Sequence, residues 1–231
     1  MTKEVYRWLT LVSVLSPLIP LICIYIYKKG QPRQNLILSV SFLISLAFDV
    51  FGWIMMYYHR STNPAINLYI IVAFPAIMAF YHEILIKRSG KITVRVFTVV
   101  FLVSAIIFAA EQGLNVANHN TWMLSSILIT ITSLLFVVDL RLMDDSNFAK
   151  NHFHTTNIII NSSLAFYYFF TIILFAITDY VFSHFTPEDS RYFWIFHDAI
   201  YVLKNFGITV AFYLSAKSVL EFKGQSSKQA G

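Results

Sequence analysis

The sequence predicts an all-α protein that crosses a membrane seven times, and three observations predict it. Of its 231 residues 57% are hydrophobic and only 13% charged, with a mean hydropathy of +0.64. That is more apolar surface than a water-soluble core absorbs. The apolar residues fall into seven runs, at about 8–27, 36–57, 65–86, 94–112, 121–140, 156–183 and 192–216. Each is long enough for a helix to cross roughly 30 Å of hydrocarbon, which takes ~20 residues. The basic residues gather in the connections and alternate in density from one side to the other, as the loops of a multi-pass protein do.

That alternation sets an orientation. Lys28, Lys29, Arg33, Lys87, Arg88, Lys91, Arg95, Arg141, Lys150, Lys217, Lys223 and Lys228 fall on one side. Only Lys3, Arg7, Arg60 and Arg191 fall on the other. Twelve against four places the N-terminus outside and the C-terminus in the cytoplasm. Basic residues dispersed over short loops form no stripe for a phosphate backbone, so the net charge of +5 does not indicate nucleic acid. Tyr57, Tyr58, Trp122, Tyr180 and Trp194 lie near run ends, where an interfacial belt is expected.

Taken in order, the first run carries Pro17, Pro20 and the lone Cys23. With no small-residue cleavage site before Lys28 it reads as a retained helix, bent by its prolines. A single cysteine allows no intrachain disulfide and reads as a small packing residue. In the second run Asn35, Ser39, Ser45, Asp49 and Trp53 share an arc of about 120°, and the third has Asn67, Tyr81 and His82 on one side of a helix containing Pro75. The first and fourth runs are nearly apolar. Ser126, Thr130 and Ser133 in the fifth follow i, i+4, i+7 spacing and read as small-residue packing.

Asn157, Asn161, Tyr168, Thr171 and Asp179 share an arc of about 80° on the sixth run. His197, Asp198, Tyr201, Lys204, Asn205 and Thr209 share about 140° on the seventh. The core is therefore expected from runs two, three, six and seven, with runs one and four facing lipid. Glu111, Asp139 and Glu188 lie at run ends and read as solvated. The longest connection, from Arg141 to His154, is too short to fold alone. The chain thus reads as one seven-helix domain over 1–231, with 218–231 a flexible cytoplasmic tail.

An ionisable side chain at mid-depth in hydrocarbon costs several kcal/mol and requires partners, water or a function. Lys204 is such a residue, and Asp49 is placed at a depth its ammonium can reach, so an ion pair is expected, with Asp198 the second candidate. The candidate polar core is Asp49, His82, His197, Asp198, Tyr201, Lys204, Asn205, Asn161 and Tyr168. No metal-ligand spacing stands out, His152 and His154 forming only a short His-x-His, and the residues name no cofactor.

Two stretches, Asn67-Leu68-Tyr69 leading to Phe80-Tyr81 and Phe193-Trp194-x-x-His197 leading to Asn205, resemble small seven-helix membrane proteins of Bacteroidota. That resemblance implies the architecture and no activity. Lys204-Asn205-Phe206-Gly207 on a seventh helix also looks like the retinal-attachment segment of microbial rhodopsins, which implies a Schiff base on Lys204. Ile200 stands where that family carries an Asp four residues before the lysine. Seven-helix lipid hydrolases carry His-x-x-x-His in the last helix, and this sequence has none.

The functional expectation is a sensor or receptor-like module of the inner (cytoplasmic) membrane. A small ligand, lipid or proton engages the polar cluster, and a cytoplasmic signalling partner reads the response. The alternative is a small-solute or proton-coupled transporter. Lesser alternatives are retinal binding through Lys204 and a metal-dependent lipid hydrolase using Asp49, His82, His197 and Asp198. No recognisable catalytic set favours an enzyme.

Overall fold

The computed structural model of the chain describes residues 3–113, 115–116, 118–142, 154–184 and 186–229. Its elements are α1 (Lys3–Leu15), α2 (Leu18–Ile26), a 3-10 turn (Lys28–Gly30), α3 (Arg33–Tyr57), α4 (Asn63–Ile84), α5 (Arg88–Gln112), α6 (His119–Arg141), α7 (His154–His184) and α8 (Pro187–Gln229). Every regular element among the described residues is helical. The α1–α2 pair and the six longer helices make seven segments long and apolar enough to cross a membrane.

Local chemistry sets the boundaries. Pro17 has no N–H to donate to the carbonyl of Ser13, and there the first run breaks into α1 and α2. The freed Ser13 carbonyl is taken by the Ser16 backbone N–H at 3.1 Å and by the Ser16 hydroxyl at 2.7 Å. Ile19 N–H bonds the Ser16 carbonyl at 3.1 Å, one that Pro20 leaves open. Pro75 lies within α4, which continues through it. α5 stops at Gly113, whose φ of 76° suits a residue without Cβ. α6 starts on Asn118, whose side chain accepts the Thr121 N–H at 3.0 Å.

The helices close a ring. The α1–α2 pair packs on α3, α3 on α4, α4 on α6, α6 on α7, α7 on α8, and α8 returns to the α1–α2 pair. α5 lies outside that circuit against α4 and α6 and is the least buried span. The core is aromatic and aliphatic, with Phe74 stacked on Phe101 at 4.0 Å between centroids and Tyr81, Tyr167, Tyr168 and Phe212 fully enclosed. Glycine permits close approach where the 3-10 turn meets α8. A Cβ at Gly30 would come within 3.0 Å of the Ala216 backbone.

Three expectations change. The first run is not peripheral: it is more buried than α3, because the α1–α2 pair packs along α8 from Asp198 to Thr209, and α6 is more buried than α3 as well. The segment expected as a flexible tail from 218 continues α8 as helix to Gln229, with no proline to interrupt it. Asp139 is 7% exposed rather than solvated. Its Oδ2 accepts the backbone N–H groups of Ile86 at 2.9 Å and Lys87 at 3.1 Å, capping the start of α5. Asp144, Asp145, Lys150 and His152 lie outside the described residues, as do the side chains of Asp179 and Glu188.

Candidate functional site

Between α1, α3, α4, α6, α7 and α8 lies a cavity of about 530 Å³. It reaches from the helix ends at Thr62, Asn63, Asn118 and His119 inward to Asp49 and Tyr201. Asparagines hold its rim. Asn67 on α4 donates to the Val116 carbonyl at 2.8 Å and accepts from the Asn118 backbone N–H at 3.2 Å, tying the connection between α5 and α6 to α4. Asn63 adds a bond to the Asn115 carbonyl at 2.9 Å.

The walls are a chain of rings. Centroid separations run from Phe48 to Tyr69 (6.4 Å), Tyr69 to Trp122 (5.6 Å), Trp122 to Phe175 (5.5 Å) and Phe175 to Trp194 (6.3 Å). They continue from Trp194 to His197 (5.9 Å), His197 to Tyr167 (5.7 Å) and Tyr167 to Tyr201 (5.6 Å). Spacings of 4.5–7 Å are those at which aromatic edges and faces attract. Ser45 donates to the Tyr69 hydroxyl at 3.0 Å and so fixes one wall.

The floor is polar. Tyr201 on α8 donates its hydroxyl to Asp49 Oδ2 on α3 at 3.0 Å. One turn toward the opening on α8, Asp198 Oδ1 accepts from Ser13 of α1 at 3.1 Å, and His197 Nδ1 stands 3.9 Å from the same oxygen. The other ring nitrogen of His197 bonds the Tyr167 hydroxyl at 3.2 Å. Asp49, His197, Asp198 and Tyr201 are thereby brought together at one end of the cavity.

Lys204 is 5% exposed and turned into the bundle. The direct ion pair expected with Asp49 is not formed: no carboxylate oxygen lies within 4 Å of its ammonium among the described residues. Aromatic faces take that place, with Nζ 4.0 Å from the Tyr201 centroid, 4.6 Å from Tyr167 and 5.8 Å from Phe42. Tyr201 therefore stands between the two charges, its hydroxyl on Asp49 and its face toward Lys204. A ring face attracts an ammonium that is already desolvated by about 2 kcal/mol.

The remaining candidates lie elsewhere. Asn205, fully buried, donates to Ser16 Oγ at 2.6 Å and locks α8 to the break between α1 and α2. Asn161 accepts from the Tyr81 hydroxyl at 3.0 Å and donates to the Ser133 carbonyl at 3.5 Å, a separate knot joining α4, α6 and α7. Tyr168 packs edge-on against Tyr167 at 4.9 Å. His82 is set apart, near the other end of α4 and about 28 Å along the helix axis from Asn63. There its Nε2 accepts from Arg95 at 3.0 and 3.2 Å. Among the described residues no three His, Cys, Asp or Glu side chains gather as metal ligands would.

Sequence reasoning missed Tyr6, Thr10 and Ser13, which bring α1 to the cavity. Their i, i+4, i+7 spacing was a readable stripe that starts just before the first run and enters it, a run that looked nearly apolar. It also missed Trp122 as a wall, since tryptophan near a span end reads first as an interfacial anchor.

Comparison of the chain with family models, with curated proteins and with solved structures finds no match.

Proposed function

We propose that this protein is a receptor-like membrane sensor that binds a small ligand in the aromatic cavity and passes the event to its basic cytoplasmic face. The observation that carries the reading is the floor, where one tyrosine hydroxyl bonds the only carboxylate of α3 while the same ring covers a buried ammonium. A ligand that bonds Asp49 competes with the Tyr201 hydroxyl, and any shift of Tyr201 alters the cover over Lys204. Tyr201 and Lys204 are one turn apart on α8, the helix that continues past the cavity to Gln229. The proposed setting is the inner membrane, N-terminus outside, which opens the cavity to the exterior and presents the cytoplasmic partner with Lys217 and the residues beyond it.

Transport remains the rival class, supported by the proline break between α1 and α2, since interrupted helices often line carrier sites. Binding without flux separates the two. The full chain in lipid nanodiscs is screened for ligands that raise its unfolding temperature, and Asp49→Asn and Tyr201→Phe are each expected to cut that rise by half or more. The sensor reading fails if the same ligand accumulates in proteoliposomes carrying the protein and the accumulation collapses in Lys204→Ala.

A further inference from the structure

We infer that the ligand of this cavity is an organic ammonium ion. The inference rests on the reading of the cavity as a ligand site and specifies the chemistry it takes. Asp49 and Asp198 both line the cavity, and among the described residues no Lys or Arg side chain does. Each carboxylate engages a neighbour through one oxygen, Asp49 with Tyr201 and Asp198 with Ser13, and the other oxygen of each makes no hydrogen bond among the described residues. Two half-used carboxylates in a largely aromatic and apolar space attract a cation.

The walls select the kind of cation. A metal ion or a proton gains little from rings, whereas an alkylammonium is attracted by the negative faces of tryptophan and tyrosine. Trp53, Tyr69, Trp122, Tyr167 and Trp194 all line the space. At 530 Å³ it admits a ligand with an apolar body as well as a charged head. Lys204 does not oppose such a cation at contact range, because the Tyr167 and Tyr201 rings lie over its ammonium and it is not among the lining residues.

The test uses three probes of one shape and different charge on the full chain in nanodiscs: choline, its neutral carbon isostere 3,3-dimethylbutan-1-ol, and the anion 3,3-dimethylbutyrate. Tryptophan fluorescence and the unfolding temperature report binding, since Trp53, Trp122 and Trp194 line the space. Choline is expected to half-saturate at a concentration about tenfold or more below the alcohol, the preference that ring faces and a carboxylate together supply. The anion is expected to bind weakest. Asp49→Asn and, independently, Asp198→Asn should each bring choline toward the alcohol and leave the alcohol unchanged, so that either variant serves if the other does not fold. Equal binding of choline and the alcohol overturns the ammonium inference and leaves the cavity reading standing. No response to any of the three at tens of millimolar overturns both.

Discussion

A buried ammonium held by three rings and no carboxylate favours specificity over stability. Stripping a lysine of water costs several kcal/mol. Rings at 4.0, 4.6 and 5.8 Å return only part of that, at about 0.5–2 kcal/mol for a good contact. Lys204→Met keeps the length and removes the charge, and its unfolding temperature is expected to equal or exceed that of the unaltered chain. A fall of more than about 5 °C, roughly 1–2 kcal/mol for a domain of this size, would show that the charge stabilises the fold through a partner. At this scale the sequence was informative about which residues are polar and buried, because polar residues recurring at three- and four-residue intervals mark one face of a helix. It was misleading about pairing. Depth along two helices placed Asp49 within reach of Lys204, yet which atoms meet depends on the ring of Tyr201, which periodicity treats as one more residue of the same face.

Among the elements, the contact between the 3-10 turn and α8 and the seam of Ser16 with Asn205 hold the first span onto the last. Glycine allows the first of these, and two glycines give opposite expectations. Gly30→Ala sets a methyl group 3.0 Å from the Ala216 Cα and 3.1 Å from its carbonyl oxygen, backbone atoms that cannot rotate away. It is expected to destabilise by about 1–3 kcal/mol, as overpacking does. Gly52→Ala, inside α3, meets nothing within 4 Å and is expected to be neutral or to stabilise by up to about 1 kcal/mol through helix propensity. Thermal unfolding of both variants beside the unaltered chain checks the pair, and equal shifts would refute the packing described. The helices themselves were legible, their ends lying within a few residues of the apolar runs apart from the early start of α5 and the long extension of α8. The role of α1 was not, because Tyr6, Thr10 and Ser13 are three modest polar groups on a strongly apolar run. Asp139 was misread for a related reason. A carboxylate at a span end looks solvated until a neighbouring turn brings two backbone N–H groups to it.

For the whole molecule, composition alone pointed to seven helices long and apolar enough to cross a membrane, and the structure has them. Backbone groups in hydrocarbon must be satisfied within each segment, which leaves helices as the solution for runs of this length. The ring order, and the position of α5 outside it, is not encoded in any single run, since it depends on which faces match. The proposed orientation is tested with Cys23 replaced by serine and one cysteine introduced at Asn115 or at Ser89, both at exposed positions. A membrane-impermeant maleimide applied to intact cells is expected to label the Asn115 variant, and to label the Ser89 variant only after lysis. The reverse pattern would turn the molecule over and close the cavity to the outside.

The length of α8 has a mechanical consequence. From Tyr201 to Gln229 the helix extends for about 42 Å at 1.5 Å per residue. If it stays straight, pivoting by about 5° at the tyrosine sweeps its far end through roughly 4 Å. A rearrangement smaller than a hydrogen bond at the bottom of the cavity thus becomes a displacement of the width of an atom at the far end of the helix, the motion that the proposed sensor would use.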